Sequence, residues 1–167
     1  MSESNTLPVV ILSKLEEQIE RTQHLTTLIP PDKLEWQPLP NSLRVCEVLG
    51  HLLECLAGFC ATLYAINPES LAHFARLRDQ PVNHCCEVEE AGERMRDYAT
   101  SIGEGFALLS DDDLVRRVPT VFVPEGEAVM TILLTNLEHF INHKYQLFFY
   151  LKLLGVMVGT SDLYRIL

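Results

Sequence analysis

Two histidines one helical turn apart stand in Leu137-Glu138-His139-Phe140-Ile141-Asn142-His143, and a third lies far upstream in Val48-Leu49-Gly50-His51-Leu52-Leu53-Glu54. Residues four apart on a helix share a face, so His139 and His143 can grip one metal ion while a neighbouring helix supplies His51. Three neutral imidazoles that leave coordination positions open describe a reactive metal site better than a sealed structural one. A divalent ion so held lowers the pKa of a bound water or thiol, making hydroxide or thiolate available at about pH 7. The spacing is not H-E-x-x-H: Phe140 follows His139, so the built-in glutamate base of the zinc proteases is missing and peptide hydrolysis of that kind is not expected.

Gln146 and Tyr150 continue the His139 and His143 face, and Glu47 and Glu54 flank His51 by about one turn. These four are candidates for orienting the histidines or lining a substrate cavity. Each has a plainer reading: Glu47 as a first-turn acid favoured by the helix N-terminus, Tyr150 as ordinary core. Cys55, also a turn from His51, is weighed as a fourth ligand or redox thiol against a buried, inert cysteine, and the leucines around it favour the inert reading. His24, His73 and His84 lack a helical partner at ligand spacing and read as surface or loop residues.

The elements that must position these side chains are mostly helices. Val9, Leu12, Leu15, Ile19 and Leu25 recur with helical period from Pro8 to Leu28, and Ile29-Pro30-Pro31-Asp32 ends that helix. A loop through Trp36 follows, with the indole expected to plug one end of the core. A second helix, apolar nearly all round, runs from Arg44 to Ile66 before Asn67-Pro68, so it is central and buried. A short helix from Glu69 to Leu77 and a third long helix from Glu87 to Leu109 come next, the latter turning Met95, Tyr98, Ile102 and Phe106 inward. Val115 to Val123 and Ala128 to Met130 read as two short strands around Pro124-Glu125-Gly126. A fourth long helix, Thr131 to Leu154, carries His139 and His143 and ends at Gly155, and a mostly apolar tail, Val156 to Leu167, is expected to pack along the bundle or against a second subunit. Four long helices with almost no strand give an all-α, four-helix-bundle fold with a small β-hairpin before the last long helix.

At 167 residues the chain is the size of one domain, 1–167, and 47% hydrophobic against 22% charged residues is an ordinary globular balance. The net charge of -10 argues against binding nucleic acid through its phosphates. Glu87, Glu89, Glu90 and Glu93 read as a solvated helix face, and Asp111 to Asp113 as a helix start. The five cysteines are odd in number and form no C-x-x-C knuckle, so they are expected to be reduced thiols in a cytoplasm, mostly buried. No apolar run reaches the roughly 18 residues of a membrane span, and the N-terminus lacks a basic region and signal core.

Gly50-His51-Leu52-Leu53 after a Trp36-containing loop, with His139-Phe140-Ile141-Asn142-His143-Lys144-Tyr145-Gln146 leading into Leu151-Lys152-Leu153-Leu154-Gly155, resembles the DinB/YfiT-like superfamily. The similarity runs from the first helix to Gly155. What it implies is a four-helix bundle in which His51, His139 and His143 hold a divalent metal, commonly zinc, nickel or iron. It also implies a homodimer, a small-molecule substrate, and in some members a low-molecular-weight thiol such as bacillithiol, mycothiol or glutathione as co-substrate. In such an S-transfer the thiolate would meet an electrophilic carbon approaching from the open side of the site. Asn142 stands where many relatives have a further histidine, and Lys144-Tyr145 replaces the usual Arg-Gly. As flanking residues these bear on substrate choice.

Two function classes remain: a metal-dependent enzyme, a thiol S-transferase or small-molecule hydrolase, and a non-catalytic metal-binding or stress-response protein. An open cavity beside the histidines favours the first; a site filled by Phe140, Tyr145 or Cys55 favours the second. A metal-free bundle acting through its acidic surface is the third reading.

Overall fold

The computed structural model describes residues 6–165. In chain order the helices are α1 (Leu7–Thr27), α2 (Val45–Ile66), the single turn α3 (Ala75–Arg78), α4 (Val88–Phe106), the single turn α5 (Asp111–Leu114), α6 (Val129–Leu153) and the single turn α7 (Thr160–Leu163). Helix α2 packs on α4 and α6, and α1 packs on the same two, which closes a four-cornered bundle with α1 and α2 on its diagonal. The all-α bundle expected from periodicity is the fold observed.

Leu49, Leu52, Leu53, Leu56, Phe59 and Leu63 of α2 are fully enclosed, as its all-round apolar sequence requires. By length and composition α2 is also the one described helix apolar enough to cross a membrane, although no uninterrupted apolar run marks it, and most of that stretch is buried inside the bundle. Its first free N–H groups are met by the preceding loop: Val45 donates to the Trp36 carbonyl at 2.9 Å and Cys46 to that of Leu34 at 2.9 Å. Trp36 itself packs edge-on against Tyr150 of α6, ring centroids 5.5 Å apart, at this end of the core.

The loop before α4 is drawn tightly onto α2. Asn83 N–H donates to the Gly50 carbonyl at 3.1 Å and Cys86 N–H to that of Cys46 at 3.0 Å. Gly50 permits the approach, because a Cβ there would lie 2.0 Å from the His84 carbonyl oxygen. A disulfide joins Cys46 to Cys85 across 39 residues of sequence. The expectation that all the cysteines are reduced is therefore corrected: Cys55, Cys60 and Cys86 are free and buried, but Cys46 and Cys85 are bonded. Closing that loop contributes roughly 2–4 kcal/mol of stability.

Two other expectations change in detail. The strands shrink to β1 (Arg117–Val118) and β2 (Glu127–Ala128), paired antiparallel with Arg117 opposite Ala128. Pro119 has no N–H for the ladder, so the chain leaves it at once, and Val121 and Phe122 stand 89% and 91% exposed. The short helix expected from Glu69 to Leu77 is a 3-10 turn at Ala72–Phe74 leading into α3. Of the two placements expected for the tail, the structure shows packing along the bundle: α7 packs on α1 with Leu163 buried. Helix α6 ends as expected at Gly155 (φ 80), with Gly155 N–H donating to Lys152 and Val156 N–H to Leu151, the paired bonds of a glycine C-cap.

Candidate metal centre

Helix α2 presents His51 and helix α6 presents His139 and His143 across the α2–α6 side of the bundle. Ligand-capable atoms of the three lie within 4.8 Å of one another, and the ring centroids are 5.1, 4.2 and 4.8 Å apart. Nε2 of His51 and Nε2 of His139 are separated by 3.2 Å. Imidazoles bound tetrahedrally to zinc at about 2.0–2.1 Å space their nitrogens about 3.3–3.4 Å apart, so the pair is already near ligand spacing.

The far nitrogens are tied down. His51 Nδ1 meets Asn83 Oδ1 at 2.6 Å and Glu54 Oε2 at 2.9 Å. Both partners are acceptors there, so Nδ1 carries the proton and Nε2 keeps its lone pair. His143 Nδ1 donates to Gln146 Oε1 at 2.8 Å, Gln146 Nε2 donates to the Tyr150 hydroxyl at 3.0 Å, and that hydroxyl donates to the Leu43 carbonyl at 3.1 Å. His143 is therefore positioned by a relay that ends on backbone. Burial holds His143 below the ordinary histidine range, Gln146 opposing and the neighbouring His51 and His139 reinforcing the shift. A neutral imidazole is the form that binds metal.

His139 differs from its partners. Its Nδ1 faces the Cys55 thiol at 3.7 Å. Burial pushes that thiol up to about 12, with the Glu54 carboxylate adding to the shift, so it stays protonated. Cys55 thus stands behind the ring of His139, opposite the His51 contact, and not where a fourth ligand would sit. With Cys55 donating to Nδ1, the 3.2 Å contact to His51 places the His139 proton on Nε2. A metal in the triad requires that proton to move off Nε2.

His139 is solvent-exposed and lines a cavity of about 630 Å³ between α2, α6 and the β1–β2 loop. Ala61, Ala65, Phe122 and Ile132 supply apolar wall, with Thr62 and Asn136 as polar points. A second cavity of about 300 Å³, which shares Gly58 and Ala61 with the first, reaches Glu54. Phe140 is fully enclosed and Tyr145 is 55% exposed, so neither fills the site.

Of the four flanking candidates, Glu54, Gln146 and Tyr150 join the histidines as described. Glu47 does not. Its carboxylate accepts from Arg44 N–H at 2.8 Å and from the Arg44 guanidinium at 2.7 Å, closing the first turn of α2. Lys144 also leaves the flanking role expected for it. Its ammonium is buried on the opposite side of α6, donating to Gln18 Oε1 at 2.6 Å and the Leu163 carbonyl at 3.0 Å. Asn83 was not singled out in the sequence; an asparagine in a loop offers an amide and tolerance of left-handed backbone (φ 57 here), but nothing that says where it lands. His24, His73 and His84 each meet a carboxylate, Asp162, Glu104 and Glu90 respectively.

No protein-family model and no curated protein matches the sequence. The structure does match the crystal structure of a DinB-like protein, YjoA, from Bacillus subtilis, with a TM-score of 0.71 and 19% identity, covering 93% of this chain and 99% of that one. Over nearly its whole length, then, the chain has a DinB-like fold.

Proposed function

We propose that this protein is a divalent-metal-dependent enzyme acting on a small molecule, with His51, His139 and His143 as ligands, and that its reaction is thiol-dependent S-transfer or small-molecule hydrolysis. The observation that carries the reading is the double placement of His139, which belongs to the histidine group and also lines the cavity of about 630 Å³. A purely structural site would be closed.

Bound there, zinc, nickel or iron would supply Lewis acidity, bringing a thiol or water to its reactive anion at about pH 7. The chain does the rest. Asn83 and Glu54 orient His51, while Gln146 and Tyr150 orient His143. The apolar wall from Ala61 to Ile132 excludes water from one side of a bound electrophile, and Asn136 offers it a hydrogen bond.

Elemental analysis of protein purified without chelator or histidine tag tests the first half. About one equivalent of metal in the wild type, absent in His143→Ala, is expected for a three-ligand site. No metal in either, even after incubation with divalent ions, would end the reading. The second half is tested by screening low-molecular-weight thiols with small electrophiles. Ala61→Phe, which fills the cavity, should abolish turnover and keep the metal; metal without turnover in any screen would leave a metal-binding protein.

A further inference from the structure

Three ties bind the loop before α4 to α2, and together they aim Asn83. The backbone bonds to Gly50 and Cys46 fix the chain at Asn83 itself and at Cys86, and the Cys46–Cys85 disulfide locks the arrangement covalently. Asn83 then takes its left-handed conformation (φ 57) and reaches His51 Nδ1 at 2.6 Å.

The disulfide itself is asymmetric. Cys85 is exposed, whereas Cys46 is fully buried. Cys46 is also the second residue of the 22-residue helix α2, at the end where the helix dipole favours an anionic sulfur. Glu35 Oε1 lies 3.3 Å from Cys85 Sγ and 3.7 Å from Cys46 Sγ, positioned to accept from either S–H group when the bridge is open, and its charge is offset by Arg44. An accessible sulfur to attack, a leaving sulfur at a helix N-terminus and an acceptor for either thiol describe a bond made to exchange. The three other cysteines remain free and buried, so this is no disulfide framework built only for stability.

We propose that Cys46–Cys85 is a thiol–disulfide exchange site, attacked at Cys85 by a low-molecular-weight thiol, and that its opening releases Asn83 from His51. In the first step the incoming thiol gives its proton to solvent and its sulfur bonds to Cys85. The Cys46–Cys85 bond breaks, and Cys46 leaves as a thiolate that takes a proton from solvent. A second thiol attacks the mixed disulfide at the small-molecule sulfur, so two thiols are oxidised to a disulfide as the protein bridge is reduced to two thiols.

The test uses the full chain without metal, so its outcome is separate from that of the metal-site reading. Cys46→Ser and Cys85→Ser proteins, checked for folding by circular dichroism, are incubated with oxidised glutathione and mapped by mass spectrometry. A glutathione adduct on Cys85 in the first variant and none on Cys46 in the second is expected. In wild type, reduced glutathione should open the bridge and shift the His51 ring resonances in the NMR spectrum, and Asn83→Gly should remove that redox-dependent shift. A bridge that resists excess thiol, an adduct on Cys46, or His51 resonances that ignore reduction would each overturn the proposal.

Discussion

Asn83 Oδ1 sits 2.6 Å from His51 Nδ1, across 32 residues of sequence, and shares that nitrogen with Glu54 at 2.9 Å. One N–H thus has two acceptors from different elements, a loop and the helix itself. Held by the loop's amide and the helix's carboxylate together, the imidazole has both its orientation and its tautomer fixed.

Removing the amide alone should loosen His51 without unfolding anything. Glycine takes φ 57 freely, so Asn83→Gly is expected to keep the wild-type urea midpoint, whereas Asn83→Ala adds about 1–2 kcal/mol of backbone strain. Zinc affinity should fall about 10-fold in Asn83→Gly and further when Glu54→Ala is added, towards about 100-fold. Competition with a chromophoric chelator measures it; unchanged affinity in the double variant would remove both residues from the site.

The His143 relay separates two effects. Gln146→Leu leaves His143 Nδ1–H without its acceptor and is expected to weaken metal binding about 10-fold. Tyr150→Phe removes one donor and one acceptor further out but leaves the Gln146–His143 bond intact. It should lower stability by about 0.5–1.5 kcal/mol and change metal affinity little. Equal losses of affinity in both would show the relay acting as one unit.

Much of this was legible in local sequence. His139 and His143 are four apart, and the apolar circumference of α2 is visible in consecutive residues, so both the pair and its buried partner helix could be read directly. Contacts closed over distance could not. The Cys46–Cys85 bond spans 39 residues and the Asn83–His51 bond 32, and neither residue type nor spacing announces them. Val115, Val118, Val121 and Val123 look like a strand because β-branched residues favour one, yet Pro119 limits the ladder to two pairs. Lys144 misleads in another way. Next to His143 in sequence, it lies about 100° round the helix, enough to face the other side of α6.

Acid should destabilise the metal-free protein through His143. Its folded pKa is lowered by burial, so between the ordinary value of 6.5 and that lower value the unfolded chain binds a proton that the folded chain refuses. Stability contributed by the neutral ring is present above 6.5 and is lost as pH falls through the folded pKa. Urea midpoints measured from pH 7 downward should decline, and the decline should be shallower in His143→Gln. A His143 ring that titrates by NMR above 6.5 would contradict the sign.

At the other side of α6, Lys144 should give a dependence in alkaline solution. Burial lowers its ammonium from 10.5 to about 8, the nearby Glu17 opposing. Between about 8 and 10.5 the unfolded chain therefore holds a proton that the folded chain has released, so stability rises with pH across that window. The neutral amine still has two N–H donors for Gln18 Oε1 and the Leu163 carbonyl, so deprotonation removes a buried charge without breaking either bond. Lys144→Met breaks both. It leaves two buried acceptors unpaired at about 1–3 kcal/mol, partly offset by the relief of the buried charge, and it unfastens the tail that carries α7. The variant should melt earlier at pH 7, lose the alkaline rise, and retain metal as well as wild type does, because its side chain faces away from His51, His139 and His143. Loss of metal in Lys144→Met would place the two sides of α6 in one coupled unit, and a wild-type midpoint that falls between pH 8 and 10 would refute the assigned direction of the shift.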